Sequence, residues 1–314
     1  EIVNTNRSDP NKNNQVTGFR EIFFREIFFY YFVIKHRLMK SANLLTMAWL
    51  YLSAISFAQT THSPLVSYYP ASGAYSKSFQ DAFSVISNIG ALSTLKDFNA
   101  GVYGEKRFML AETGLYTAVI AVPTASGNFA LQADYSGYQA YNESQIGIAY
   151  GLPVSEKIGI GAKFNYYHLR IPSYLNASAI NFEIGSVIHI SDQLHTGVSI
   201  YNPLSSSLGK NTGEKIAAVY KAGIGYEMSA SFFTQLEVIK EKDKDVNVHA
   251  ALQYRPIKQL CARAGILTGT SSWYFGVGYL YKQLRMDFSF SFHQQLGISP
   301  GLLLLYKLNK SVKE

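Results

Sequence analysis

Asp287, Ser289, Ser291 and His293 occupy alternate positions in LRMDFSFSFHQ, residues 284–294. These are the residue types of a serine hydrolase, in which a hydroxyl attacks, an imidazole takes its proton and a carboxylate orients the ring. Alternate residues of an extended chain share one face and lie roughly 7 Å apart, whereas a nucleophile and its base must approach to about 3 Å. One strand cannot assemble this triad, and an imidazole from elsewhere, His249 or His195, would have to complete it. Hydrolysis is therefore the weakest functional reading, and a non-enzyme is expected. No metal-ligand spacing or phosphate-binding loop occurs, and the single cysteine, Cys261, excludes an intrachain disulfide framework and a cysteine-based zinc site. No cofactor and no metal is expected.

The same stretch carries Leu284, Met286, Phe288, Phe290 and Phe292 on its other face. An apolar face opposite a polar one recurs along the chain. Val246, Val248, Ala250, Leu252 and Tyr254 oppose Asn247, His249, Gln253 and Arg255; Ile158, Ile160, Ala162, Phe164 and Tyr166 oppose Gly159, Gly161, Lys163 and Asn165. Ile180, Phe182 and Ile184 oppose Asn181 and Glu183, and Ala218, Tyr220, Ala222, Ile224 and Tyr226 oppose Lys221, Gly223, Gly225 and Glu227. This period of two marks β-strands. A soluble sandwich would alternate as well, but three features favour a transmembrane antiparallel β-barrel of about 14 strands over residues 97–308.

Segments of about ten residues, the length of a tilted membrane-crossing strand, follow one another without a helix. Tight turns at 124–128, 154–156, 191–193, 228–230, 256–259 and 282–283 alternate with longer loops at 136–143, 170–177, 202–215, 241–245 and 294–300. Aromatics gather near segment ends (Trp273, Tyr274, Tyr279, Tyr281, Tyr201, Tyr226, Tyr254 and Tyr306), as in an interfacial girdle.

In such a barrel the polar face lines the lumen. It carries Asp134, Lys163, Glu183, Lys221, Glu227, Glu237, Arg255, Arg263, Arg285 and Asp287, five acidic and five basic, with His293 at one end. A wide porin would show a sign-biased constriction. Balanced charge, together with Gly159, Gly161, Gly223, Gly225, Gly265, Gly276 and Gly278 on the same face, points to a narrow, internally cross-linked lumen.

A barrel of this kind must be exported, and residues 39–58 have the layout of a signal peptide. Lys40 gives the basic start, 44–57 the apolar run, and Ser56-Phe57-Ala58 a small-x-small cleavage site that leaves Gln59 as the mature N-terminus. Residues 1–38, with the tandem Arg-Glu-Ile-Phe-Phe at 20–24 and 25–29, read as translated upstream sequence. The rival, a membrane anchor at 27–34, is far shorter than the roughly 20 residues a spanning helix needs. Seven of the 28 basic and four of the 21 acidic residues precede residue 59, leaving 21 against 17. The mature chain is only mildly basic and its charges are scattered, which argues against nucleic acid as a partner. The expected location is the bacterial outer membrane, with membrane lipid as the surrounding partner.

Between the cut and the first strand, residues 59–96 break the pattern. Phe79, Ala82, Phe83, Ile86 and Ile89-Gly90 recur at helical spacing, with Asn88 beside them and Ser76 or Ser78 as N-cap. An amphipathic helix here would plug the lumen, cover the periplasmic mouth, or serve as a stabilising arm. A short tail, 309–314, follows the last strand.

DAFSVISNIGALSTLKDFNAGVYGEKRFML, residues 81–110, resembles the opening segment of the FadL-type and PorV/PorQ-like outer-membrane barrels of Bacteroidota, as do the strand count and the C-terminal GISPGLLLLYKL. In that family a short helix leads through an Asn-Pro-Ala type signature into a first strand bearing a tyrosine and a basic residue. Asn88 and Ala91 match it, and Ile89-Gly90 stands where the family has its proline. The resemblance implies one of two roles. The first is binding or passage of hydrophobic small molecules through a narrow or plugged barrel. The alternative is docking or shuttling in type IX secretion, with a secretion-system protein as partner. For docking, the long polar loop NPLSSSLGKNTGEK at 202–215 is the candidate surface, though it also reads as a plain solvated connection.

Overall fold

The computed structural model describes residues 61–209 and 213–308. The upstream segment, the signal peptide with its cleavage site, and the 309–314 tail lie outside the described residues.

Fourteen antiparallel strands form a closed barrel. They are β1 (Phe98–Lys106), β2 (Gly114–Thr124), β3 (Gly127–Tyr138), β4 (Tyr141–Pro153), β5 (Ile158–Ile171), β6 (Leu175–His189), β7 (Leu194–Tyr201), β8 (Val219–Ser229), β9 (Phe232–Glu241), β10 (Val246–Ile257), β11 (Leu260–Leu267), β12 (Ser272–Tyr281), β13 (Leu284–His293) and β14 (Gly297–Leu308). Each strand pairs with the next, and β14 closes the ring on β1 from Gly301↔Glu105 to Leu308↔Phe98. Closure satisfies every ladder and leaves no edge, which a sheet in lipid requires.

The faces fall as the alternation requires. Phe288 and Phe290 on β13 are exposed outside, while Arg285, Asp287 and Ser289 between them are buried inside. The same holds for Ile160, Phe164 and Tyr166 against Lys163 and Asn165 on β5. Phe288→Arg should accordingly cost about 2 to 4 kcal/mol by placing a charge in lipid near the midplane. Ser289→Arg is not the mild control its lumen-facing position suggests, because Ser289 is packed against Tyr103. Ser291→Arg, nearer the strand end, is the milder change. Urea unfolding of the barrel in micelles checks the pair; equal loss from both would mean that the outer face is not lipid-facing.

Three expectations need correction. The loops expected at 136–143, 170–177 and 294–300 are mostly strand: Gly137↔Asn142, Arg170↔Asn176 and His293↔Gly297 extend the ladders to two- and three-residue connections. Polar residues there signal strand projecting beyond the apolar band rather than loop. The longest connections are instead 107–113 and 202–218. Tyr274 and Tyr201 do not join the girdle, since their parity turns them into the lumen, where both are buried. Residues 79–90 do not form one amphipathic helix. They make a 3-10 helix at Ala82–Ile86 and part of a second at Ile89–Thr94, capped by Asp81 and Asn88 rather than by Ser76 or Ser78. Ser76 closes a local turn instead, its hydroxyl accepting from the Ser78 and Phe79 amides.

Candidate functional site

The lumen is occupied by the chain's own N-terminal segment. Its start pairs with the 202–218 loop through a two-residue parallel bridge, Thr61↔Lys215 and His62↔Ile216. Its end enters β1 at the opposite, short-turn end of the barrel. The segment therefore runs through the lumen from one mouth to the other.

Residues 88–95 are wedged against β3 to β7. The inward glycines leave room for backbone to meet backbone: a Cβ at Gly161 would meet the carbonyl of Ile89, and one at Gly185 would meet the Asn88 side chain. Asn128 donates to the carbonyls of Leu92 (2.7 Å) and Leu95 (2.8 Å). Asn88 accepts from the Gly90 amide (2.9 Å) and donates to the Ser186 carbonyl (3.0 Å). Phe79, Phe83, Ile89 and Leu92 are fully buried, each contributing about 1.5 to 3 kcal/mol.

Residues 69–87 face β8 to β13 through charge. Asp81 forms a capping box with Ser84, and its second carboxylate oxygen takes 3.0 Å bonds from both Arg263 and Arg285. Burial alone raises the Asp81 carboxyl, but Arg285 and Arg263 outweigh it and hold the group down at about 2. Arg285 also binds Asp287 (2.9 Å), which accepts from the Tyr69 hydroxyl (3.3 Å). Glu237 accepts from Tyr75 (2.8 Å) and Ser87 (2.5 Å). Glu227 accepts from the hydroxyls of Ser76 and Ser78, both at 2.7 Å. Lys221 donates to the carbonyls of Ile86 (3.0 Å) and Ser87 (3.1 Å) at the end of the first 3-10 helix. Arg255 binds the Ser78 carbonyl (2.9 Å) and lies 4.0 Å above the Phe79 ring. Desolvation offsets much of the attraction in such pairs. Apolar burial supplies the affinity of the plug, and the charges set its register.

Nine lumen candidates are thus accounted for by structural pairing, and Asp134 accepts from Thr117 and Gln132 on the wall, both at 2.8 Å. Seven hold the plug or one another, and the eighth, Lys163, pairs with the ninth, Glu183, at 2.7 Å on the wall. His293 stands apart: its Nδ1 accepts from the amides of Gln295 and Leu296 in the turn after β13. The hydrolase residues are likewise engaged elsewhere, Asp287 with Arg285 and Tyr69, Ser289 beside Tyr103 at 3.4 Å, and His249 with Tyr274 at 2.8 Å. Among the described residues no group of three or more His, Cys, Asp or Glu could hold a metal ion.

Above the plug, at the long-loop end, a cavity of about 680 Å³ opens between the N-terminal segment and β8 to β14. Val66, Tyr68, Phe108, Leu267 and Tyr274 give it an aromatic and aliphatic side, and Lys221, Glu241, Asp243, Lys244, Asp245 and the paired Glu105 and Arg107 give it a charged one. Neither this vestibule nor the inward fold of 202–218 was expected from sequence. Leu204 is exposed, but Leu208 and Ile216, two of the other apolar residues of that polar stretch, were the available signal. Both are fully buried with Tyr167, Leu169 and Tyr201, and Asn202 turns inward to donate to the Ile216 carbonyl (2.8 Å).

The chain is therefore a transmembrane β-barrel of 14 strands with an internal plug and a partly apolar vestibule. No family model matches it, and no curated protein does. Solved structures do share the fold. The CymD monoaromatic hydrocarbon channel superposes with a TM-score of 0.57 at 12% identity, covering 79% of this chain and 99% of that one. The Pseudomonas putida toluene transporter TodX gives 0.56 at 11% identity over 79% and 99%. A Pseudomonas aeruginosa FadL homologue gives 0.55 at 12% over 80% and 100%. At such identities the likeness is one of fold.

Proposed function

We propose that this chain is an outer-membrane barrel that binds and passes hydrophobic small molecules, and that it is not an enzyme. The carrying observation is a vestibule with an aromatic and aliphatic side at the long-loop mouth, above a lumen filled by the chain's own buried N-terminal segment. A pore for hydrophilic solutes needs an open polar lumen, whereas here wall and plug charges are buried against one another. The fold likeness to channels described as carrying monoaromatic hydrocarbons and toluene supports the same reading. Export would use the signal peptide at 39–58, with mature protein beginning at Gln59. The fold likeness lends no support to the type IX docking alternative, and of its candidate surface Asn202 and Leu208 are buried while Leu204 and Ser207 stay exposed.

Liposomes containing the full chain should admit a small aromatic hydrocarbon but swell no faster in a small sugar than empty liposomes. Rapid sugar-driven swelling would make the protein a general porin and overturn the reading.

A further inference from the structure

The first described residues are held differently from the rest of the segment. From Tyr69 to Leu92 almost every residue is buried, but of residues 62–66 only Leu65 is. Their bonds are made at the rim of the barrel. His62 shares a 2.8 Å hydrogen bond with Glu214, and the Ser63 hydroxyl donates to Glu241 (2.7 Å) and accepts from Lys244. The Val66 carbonyl takes a 2.9 Å bond from Arg107. Part-exposed contacts of this kind contribute little each, and a two-residue bridge adds little more. Ser67 and Tyr68 mark the change, for Ser67 is buried and bonded to Glu105 (3.0 Å), and Tyr68 stacks edge-on against His249.

Ser63, Pro64 and Val66 line the vestibule, while His62 is joined to Ile216 of the apolar cluster beneath the 202–218 loop. The strip thus lies between the cavity and the part of the 202–218 loop that carries Ile216. Regions that open first are those with few buried contacts and rim-exposed bonds.

We propose that residues 62–66 form a strap across the long-loop mouth, and that it detaches from Ile216, Glu214 and Glu241, swinging about Ser67 and Tyr68, to admit solute to the vestibule while the plug below stays seated. This gating role presupposes the vestibule as the solute's entrance. Strap movement itself is measurable without any hydrophobic ligand.

Ser291 lines the vestibule, and native Cys261 is buried, so Ser291→Cys reports access to a polar maleimide. In the full chain, adding His62→Ala and Ser63→Ala should speed labelling by about tenfold, the weight of the two side-chain contacts removed. A separate variant, His62→Cys with Ile216→Cys, joins opposed positions of the bridge. Its oxidised form should load N-phenylnaphthylamine about tenfold more slowly than its reduced form. Unchanged labelling of Ser291→Cys overturns the strap whatever the probe does. Faster labelling with no probe binding in either redox form leaves the strap standing and removes the hydrophobic-solute function. Equal loading by the oxidised and reduced forms overturns the strap as the entrance.

Discussion

Asp81→Ala should destabilise docking of the plug by about 3 to 5 kcal/mol, the cost of leaving buried charge without its partner. Arg263 and Arg285 both end on one Asp81 oxygen, and both are buried. Arg285 keeps Asp287, so most of the penalty falls on Arg263. The same substitution removes the N-cap of the first 3-10 helix, and the two effects act in one direction. Protease access to residues 69–87 in the intact barrel is the measurement: wild type should resist, and the variant should be cut between plug and β1 while the barrel band persists. Resistance equal to wild type would mean that apolar burial alone seats the plug. The pH dependence has a definite sign. The carboxyl is depressed in the folded protein from roughly 3.9 in an unfolded chain, so its contribution is complete at neutral pH. It is lost as the pH falls through about 2.

Removal of residues 59–96, with the signal peptide joined directly to residue 97, has the largest expected effect on permeability. An eight-stranded barrel is filled by its own side chains, and barrels of 16 or more strands enclose an aqueous channel. Fourteen strands whose inner face is rich in glycine lie near the upper case once the plug is gone. Lys221, Glu227, Glu237, Arg263 and Arg285 would then be solvated rather than paired with it. Liposomes with the truncated chain should swell rapidly in a small sugar, where those with the full chain do not. Slow swelling from a correctly folded truncation would show that the wall, not the plug, closes the lumen.

The barrel was legible because a two-residue period and lipid act on every strand alike: Phe288 and Asp287 take opposite faces whatever happens inside. Lumen residues were legible as a face but not as partners, since parity places Arg263 inside without saying that Asp81 meets it. Asp81 itself belonged to a stretch whose 3.6-like spacing suggested one helix. The observed break lies at Ser87-Asn88, where Asn88 caps a second helix and donates across to Ser186. That contact depends on Gly185 and Gly197 lying far away in sequence, which local periodicity does not carry. Tyr201 and Tyr274 show the converse error, a chemical type trusted over parity. Glycines on the inner face carried more information than they were given. They suggested a narrow lumen, and Gly159, Gly161 and Gly225 among them are where the plug backbone lies against the wall.

The vestibule's preference for lipophilic molecules is tested most directly by equilibrium titration of the purified full chain with N-phenylnaphthylamine, followed by its fluorescence. Ser291→Arg, at a position that lines the cavity near the end of β13, provides the comparison once urea unfolding has shown its barrel to be folded. Saturable binding to the full chain, weakened about tenfold by Ser291→Arg, is the result expected when a guanidinium is placed beside the aromatic side of the cavity, a change near 1.4 kcal/mol. Absence of saturable binding, or equal binding by the variant, would contradict the assignment of this cavity to hydrophobic solutes.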